Sequence, residues 1–341
     1  MAGGQWRLLR ARTPVERVLH DPATPEELRQ RLALVEAVRR FAAGLGLAVD
    51  GQYTSYAPWP GDRVVTAVVA TRPGEVDPAG FWFPWLGRLP YKSYFDPDRA
   101  RAEATELRAE GLDVCLAPVA AYSTLGWFED PVTAPMLREG EGDLTETLLH
   151  ELVHATVFVS GDADFDEGLA TFVGQEASVR FFAARDGAAS ATAREQRDLV
   201  SDERAVSQAL LDLRSEVAAL YGSEPAGPAR DAARAGLETL ARTRLAALPL
   251  RTRDPGELAA KLGLNDACLA LEGAYTADLP RYGTRLAALG DDLHALLEAA
   301  RQAAQASDPR TALLGPSPAA VLPAAGEPRP GAGVAPGAAG G

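Results

Sequence analysis

The sequence has 341 residues, of which 47% are hydrophobic, so it can bury a large core. Acidic residues outnumber basic ones 47 to 34, and the net charge of −13 argues against nucleic acid or anionic lipid as a partner. No apolar run approaches the roughly 20 residues of a membrane-spanning helix, and the start lacks the apolar stretch of a secretory signal. As written, the sequence predicts a soluble, cytoplasmic protein.

Two cysteines, Cys115 and Cys268, lack the C-x-x-C spacing of a thiolate zinc site or a redox motif. Two unpaired core thiols are favoured over a single structural bridge, because two cysteines cannot build a disulfide framework.

The N-terminal part predicts a mixture of helices and short strands. A basic amphipathic segment ends near Leu19, and Thr24, Pro25 and Gly44 are suited to the two ends of the next helix. Apolar periodicity predicts helices over 25–43 and 98–110, and β-branched or aromatic runs predict strands over 63–70, 81–86, 91–95 and 113–121.

The C-terminal part is predicted to be almost wholly helical. Periodic stretches separated by Gly, Pro and Asn predict helices over 194–220, 229–248, 255–262, 266–277 and 281–304. After Gly315 the composition of Pro, Gly and Ala predicts a disordered tail over 315–341. Together these patterns predict a catalytic part over 1–190, a helical part over 191–314 that closes its cleft, and the tail.

The strongest chemical signal is an H-E-x-x-H motif, since two of only four histidines lie in it. Asp143 is a suitable N-cap for a helix that carries His150 and His154 one turn apart. Their imidazoles can then bind one metal ion, while Glu151 reaches a water on that metal as a general base. His20 and His294 are interpreted as surface or packing residues.

A third metal ligand must come from downstream, and Glu167 is the favoured candidate. Asp166 is suited to cap a second helix, and the loop over 160–164 allows the chain to reverse. Glu176 is the fallback ligand, although it lies two and a half turns farther along that helix. A calcium loop built from Asp162, Asp164 and Asp166 is a weaker alternative, because it lacks the glycine and terminal glutamate of a calcium hand.

The segment from His150 to His154, followed by Asp166-Glu167-Gly168-Leu169-Ala170, resembles the gluzincin pattern of zinc peptidases. The wider stretch over 118–176 is similar to a family of bacterial proteins called predicted aminopeptidases, with looser likeness from Trp6 to about Tyr282. The resemblance implies that His150, His154 and Glu167 bind one zinc ion per chain and that Glu151 is the base. Asp166 stands where the pattern usually has Asn, and the spacing to Glu167 is shorter than in aminopeptidase N-like enzymes.

The remaining site residues are more open. Tyr275 is a candidate donor to the oxyanion of the transition state. In zincin folds the strand before the metal helix binds substrate at the sheet edge, and 119–128 fills that place. Tyr122 and Trp127 then line the cleft or belong to the core, while Glu129 and Asp130 either hold a substrate ammonium or form a solvated turn.

These inferences predict an α+β, zincin-like fold with a small N-terminal sheet over the H-E-x-x-H helix. The expected function is a zinc metallopeptidase, an aminopeptidase by resemblance, that acts on peptide substrates through a zinc-bound water activated by Glu151. The alternatives are a metalloendopeptidase, a metal-stabilised binding protein without turnover, and a helical scaffold with a chance motif. A cell-envelope lipoprotein is the alternative location, if the true start lies upstream.

Overall fold

The structure is a computed structural model that describes residues 2–83, 87–120 and 129–316. The described part is mainly helical, and all of its short strands precede the helix that carries the H-E-x-x-H motif. Its helices are α1 (Ala2–Ala11), α2 (Val15–His20), α3 (Glu26–Gly44), α4 (Pro97–Ala109), α5 (Glu141–Thr156), α6 (Ala163–Asp186), α7 (Ala191–Ser223), α8 (Pro228–Ala246), α9 (Pro255–Lys261), α10 (Asp266–Thr276), α11 (Leu279–Ala288), α12 (Leu293–Ala303) and α13 (Pro309–Leu314), with a 3₁₀ turn at Met136–Arg138. Its strands are β1 (Thr13–Pro14), β2 (Ser55–Ala57), β3 (Val65–Thr71), β4 (Phe81–Phe83), β5 (Gly87–Leu89), β6 (Tyr91–Tyr94), β7 (Asp113–Val119) and β8 (Val132–Thr133).

The largest antiparallel sheet has the strand order β6-β3-β7, and every residue of its central strand is buried. Successive residues of a strand face opposite sides of the sheet. Val68 accordingly packs among alanines of α4 on one side, and Val69 packs beside Cys115 and Ala267 on the other. Helix α4 thus covers one face and α10 covers the opposite face.

The main hydrophobic core lies among helices α3, α5, α6, α11 and α12. Leu148, Leu149, Leu152 and Val153 of α5 are fully buried there, as expected for a helix covered on several sides. A second cluster joins α7, α8 and α9 through residues such as Leu213 and Leu245. The division of the chain at residue 190 remains a prediction.

Helix α10 lies between the sheet and the helical part, since it packs against α6, α7, β3 and β7. Asn265 caps the helix and also donates to Asp113 Oδ1 at the start of β7. A disulfide between Cys115 of β7 and Cys268 of α10 fastens the same contact. The prediction of two unpaired thiols is therefore wrong, because strand and helix packing brings the two cysteines together across a sequence separation of 153.

The helix predicted over 281–304 is two helices, α11 and α12. Gly290 and Asp291 both have left-handed backbones, with φ values of +71° and +61°, which a continuous α-helix cannot accommodate. The other predicted helices and strands are confirmed within a few residues wherever the structure describes them. Residues 84–86 of one predicted strand and the predicted tail beyond residue 316 lie outside the described part. Among the helices that the structure describes, none has the length and apolar character needed to span a membrane.

Candidate metal centre

Helix α5 places the two motif histidines on one face, one turn apart. The Nε2 atoms of His150 and His154 are 3.1 Å apart, and their rings meet edge to face. The helix begins at Glu141 after Gly140, so Asp143 lies in its first turn and the prediction that Asp143 is the N-cap is wrong. The spacing of the two histidines is unaffected by that earlier start.

Helix α6 brings Glu167 to the same point. The helix starts at Ala163, and Asp162 caps it by accepting from the Phe165 N–H at 3.1 Å. Asp166 therefore lies inside the first turn and not at the predicted N-cap position; its Oδ1 accepts from the Val159 N–H at 2.8 Å. This bond closes the turn between the two helices and orients the residue beside Glu167.

The fit of a metal ion can be judged from the ligand atoms themselves. Oε2 of Glu167 lies 3.4 Å from His150 Nε2 and 3.3 Å from His154 Nε2. A tetrahedral zinc ion with bonds of about 2.0–2.1 Å requires ligand atoms about 3.3 Å apart. Two imidazole nitrogens and one carboxylate oxygen are also a donor set typical of catalytic zinc, so the residues fit the ion.

This constellation is the one group of three or more potential ligands found within residues 2–83, 87–120 and 129–316. Glu176 is turned away and pairs with Arg180 and Arg204. Of the aspartates of the calcium alternative, Asp162 caps α6 and Asp166 holds the turn, so neither supports a calcium loop.

Close packing of α5 on α6 allows the ligands to approach one another. Gly174 of α6 lies against the α5 backbone, where an added Cβ would be 3.2 Å from the Glu146 carbonyl oxygen and 3.3 Å from the His150 nitrogen. A larger residue at this crossing requires the two helices to shift apart by a few tenths of an ångström.

Glu167 and His154 shift each other's pKa values. Burial alone would raise the pKa of Glu167, but the two histidines lower that pKa well below its usual range. Burial would also lower the pKa of His154, yet the Glu167 carboxylate raises it to about 9.

Glu151 follows His150 on α5, and its Oε2 is buried without a hydrogen-bond partner among the described residues. Tyr53 lies near Glu151. Burial, together with Glu151 and Asp130, raises the pKa of the Tyr53 hydroxyl well above the ordinary value. Tyr53 is 2% exposed and has a left-handed backbone with φ of +58°, a conformation that tyrosine rarely adopts. Sequence reasoning missed Tyr53, because no local pattern signals such a backbone.

Two further tyrosines contact the ligands directly. The ring of Tyr275, from α10, stacks on His150 with centroids 6.2 Å apart. The hydroxyl of Tyr91, from β6, donates to Glu167 Oε1 at 3.2 Å. Tyr275 was a sequence candidate for this site, whereas Tyr91 was missed because its place depends on strand register.

The other sequence candidates include two surface histidines and two aromatic residues outside the described part. His20 and His294 are exposed, in agreement with their interpretation as surface or packing residues, and each ring is hydrogen-bonded to a main-chain carbonyl. Asp130 is 2% exposed and its N–H donates to Gln52 Oε1 at 3.0 Å, whereas Glu129 is exposed. Tyr122 and Trp127 fall within residues 121–128, which the structure does not describe.

Comparison with known proteins adds one result. Neither the curated proteins nor the solved structures contain a significant match. A model of the family described as "Putative aminopeptidase" matches residues 1–314, which is nearly the whole chain. The chain belongs to that aminopeptidase family.

Proposed function

We propose that this protein is a zinc metallopeptidase with a zincin-like fold that removes residues from the N-terminus of peptides. The observation that carries the proposal is the convergence of His150, His154 and Glu167, whose ligand atoms lie 3.1 to 3.4 Å apart. The family description supports an aminopeptidase, and the donor set supports zinc.

His150, His154 and Glu167 would hold the ion, and α5 and α6 fix their side chains before it binds. When bound, zinc supplies Lewis acidity, which activates water and polarises the scissile carbonyl. Such a site is catalytic in character, because three protein ligands leave a fourth position open.

Glu151 is assigned as the general base. It accepts a proton from the attacking water and passes it to the departing amine, which leaves Glu151 ionised again. Its side chain follows that of His150 around the helix by about 100°, so it lies beside the ligands without being one of them. A carboxylate oxygen with no other partner among the described residues suits this role.

Tyr275 is assigned as the donor to the oxyanion. Burial, together with Glu167 and Tyr91, raises the pKa of its hydroxyl well above the ordinary value, so the hydroxyl keeps its proton at neutral pH. A protonated hydroxyl beside His150 can donate to charge that develops on the substrate carbonyl.

Two alternatives make different predictions. A metalloendopeptidase has the same site and cleaves substrates with a blocked N-terminus. A metal-stabilised binding protein uses the ligands for stability alone, so Glu151→Gln changes nothing in it.

The test combines metal analysis with hydrolysis. We expect about one zinc per wild-type chain, loss of zinc in Glu167→Ala, and retained zinc in Glu151→Gln. Hydrolysis of free aminoacyl substrates should fall in Glu151→Gln by at least about a hundredfold, the usual share of general base catalysis. Glu176→Ala is the matched control. Glu176 lies on the same helix as Glu167, but its carboxylate pairs with Arg180 and Arg204.

A wild-type protein that stays free of zinc after zinc is supplied contradicts the proposal. Zinc without hydrolysis supports the binding protein, and cleavage of blocked substrates supports the endopeptidase.

The disulfide bears on location. Disulfides persist in oxidising compartments and are rare in the cytoplasm. The Cys115–Cys268 bridge therefore favours the cell envelope over the cytoplasm. Alkylation of free thiols in intact cells tests this location: Cys115 and Cys268 should be protected in an envelope protein and modified in a cytoplasmic one.

A further inference from the structure

The carboxylate of Glu167 has two oxygens with different surroundings. Oε2 faces the nitrogens of His150 and His154, and Oε1 accepts the hydrogen bond from Tyr91. The side chain is 8% exposed, so water has little access to replace either contact. One oxygen is thus directed to the histidines and the other is held from behind.

Tyr91 is placed by the sheet and not by the helices that carry the ligands. Its register partner in β3 is Val69, and it packs beside Cys115, Ala267 and Cys268 on the face covered by α10. The next residue, Lys92, points to the opposite face and binds Glu103 of α4 at 3.0 Å. Strand alternation therefore fixes which way the Tyr91 side chain faces.

Tyr275 lies close to the same carboxylate but is held differently. Its ring stacks on His150, and burial, together with the nearby Glu167 carboxylate and Tyr91, raises the pKa of its hydroxyl well above the ordinary value. Only the Tyr91 hydroxyl, of the two, makes a hydrogen bond to Glu167 with a resolved distance. The two hydroxyls are therefore suited to separate tasks.

We propose that Tyr91 is a positioning residue of the metal centre, which holds Glu167 Oε1 so that Oε2 is directed to the ion. The inference rests on the proposed zinc site. Carboxylate ligands are commonly oriented by a hydrogen bond to the oxygen that does not bind the metal, and loss of such a partner weakens metal affinity by 10- to 100-fold. Tyr91 thereby couples the sheet to the third ligand, and Tyr275 remains available to the substrate.

The experiment compares Tyr91→Phe with the matched variant Tyr275→Phe. Both changes delete one hydroxyl and keep the ring. The dissociation constant for zinc is measured by competition with a chelator of known affinity. We expect Tyr91→Phe to weaken zinc binding by about 10- to 100-fold, whereas Tyr275→Phe should weaken it less, because the hydrogen bond to Glu167 Oε1 at 3.2 Å comes from Tyr91.

Two further readouts separate positioning from general damage. The visible spectrum of the cobalt-substituted protein should change in Tyr91→Phe, because it reports the geometry of the ligands. Hydrolysis by Tyr91→Phe should recover as buffered free zinc is raised, whereas that by Tyr275→Phe should not. The urea midpoint of each zinc-free variant shows whether the fold is kept.

The outcomes distinguish this inference from the proposed function. If wild type binds zinc and cleaves peptides while Tyr91→Phe binds zinc as tightly, the role of Tyr91 is overturned and the zinc peptidase stands. Equal weakening in both variants overturns the separation of tasks. If wild type binds no zinc, the zinc site and the role of Tyr91 fail together.

Discussion

Two regions of this protein meet at the candidate site, and they are built in different ways. The α5–α6 pair supplies His150, His154 and Glu167 from one stretch of chain. The second region consists of Tyr91 from β6 and Tyr275 from α10, which contact the ligands and are called the tyrosine wall below. The helix pair depends on local spacing, whereas the tyrosine wall depends on contacts between distant segments.

The two regions should therefore differ in what keeps their residues in place. Ligands four residues apart on a helix stay aligned for as long as the helix exists. Tyr275 keeps its place in the tyrosine wall only while α10 stays against the sheet, and the Cys115–Cys268 disulfide fastens that contact. Loss of α10 packing should therefore displace Tyr275 before it affects Tyr91, which β6 holds, or the ligands.

The largest effect is expected from removing the disulfide with Cys115→Ser and Cys268→Ser together. A cross-link that closes a loop of this length stabilises a protein by about 2–5 kcal/mol through the unfolded chain. Urea unfolding should show that loss, and wild type in reductant should show the same loss. Zinc content should stay near one per chain while hydrolysis falls, because Tyr275 lies on α10 and the ligands do not. An unchanged urea midpoint would contradict a structural role for the bridge.

A smaller loss is expected from Gly174→Ala, which acts on the helix pair. The new methyl group lies 3.2–3.3 Å from the α5 backbone, so the helices must separate. Overpacking of this kind lowers the free energy of unfolding by about 1–3 kcal/mol. The higher helix propensity of alanine offsets about 1 kcal/mol of that loss. Zinc affinity should fall with stability, since Glu167 and the histidines move apart.

Gly236→Ala is the matched control for this change. Gly236 lies inside α8, is exposed, and has nothing within 4 Å of an added Cβ. The substitution should raise stability by up to about 1 kcal/mol through helix propensity alone. If both variants behave alike in thermal unfolding, close approach at Gly174 is not what holds the helix pair.

The helix pair is also the region that sequence reasoning described best. The motif spacing placed His150 and His154 on one helical face, and the turn-rich loop correctly indicated a chain reversal toward Glu167. The N-cap assignments of Asp143 and Asp166 were wrong, because several polar residues near each start could cap it. Which of these polar residues caps the helix depends on the tertiary structure around it.

The tyrosine wall could be predicted only in part. Tyr275 was identified as a candidate, but nothing local showed that β6 places Tyr91 on the face covered by α10. The Cys115–Cys268 bridge was missed for the same reason, since the pairing of two distant cysteines depends on the packed fold. Strand register and long-range packing are not written in residue spacing.

The smallest effect is expected from the pH dependence of stability near the start of α5. Burial and the nearby Asp143 raise the pKa of Glu139 to about 7. In the unfolded chain this carboxyl titrates near its ordinary value of about 4.3. Between these values the folded state binds more protons, so its stability falls as pH rises toward 7.

Glu139→Gln should remove that dependence. We expect stability at pH 8 to rise by on the order of 1 kcal/mol relative to wild type, since solvent screening reduces the full effect of the shifted pKa. Urea unfolding at pH 5 and at pH 8 measures the difference. Glu141→Gln is the matched control, because it makes the same chemical change two residues away in a side chain that is 54% exposed. The effect should be confined to the helix pair, so the protein with Cys115→Ser and Cys268→Ser should keep the wild-type slope of stability against pH. Loss of that slope in this variant would place its origin in the tyrosine wall.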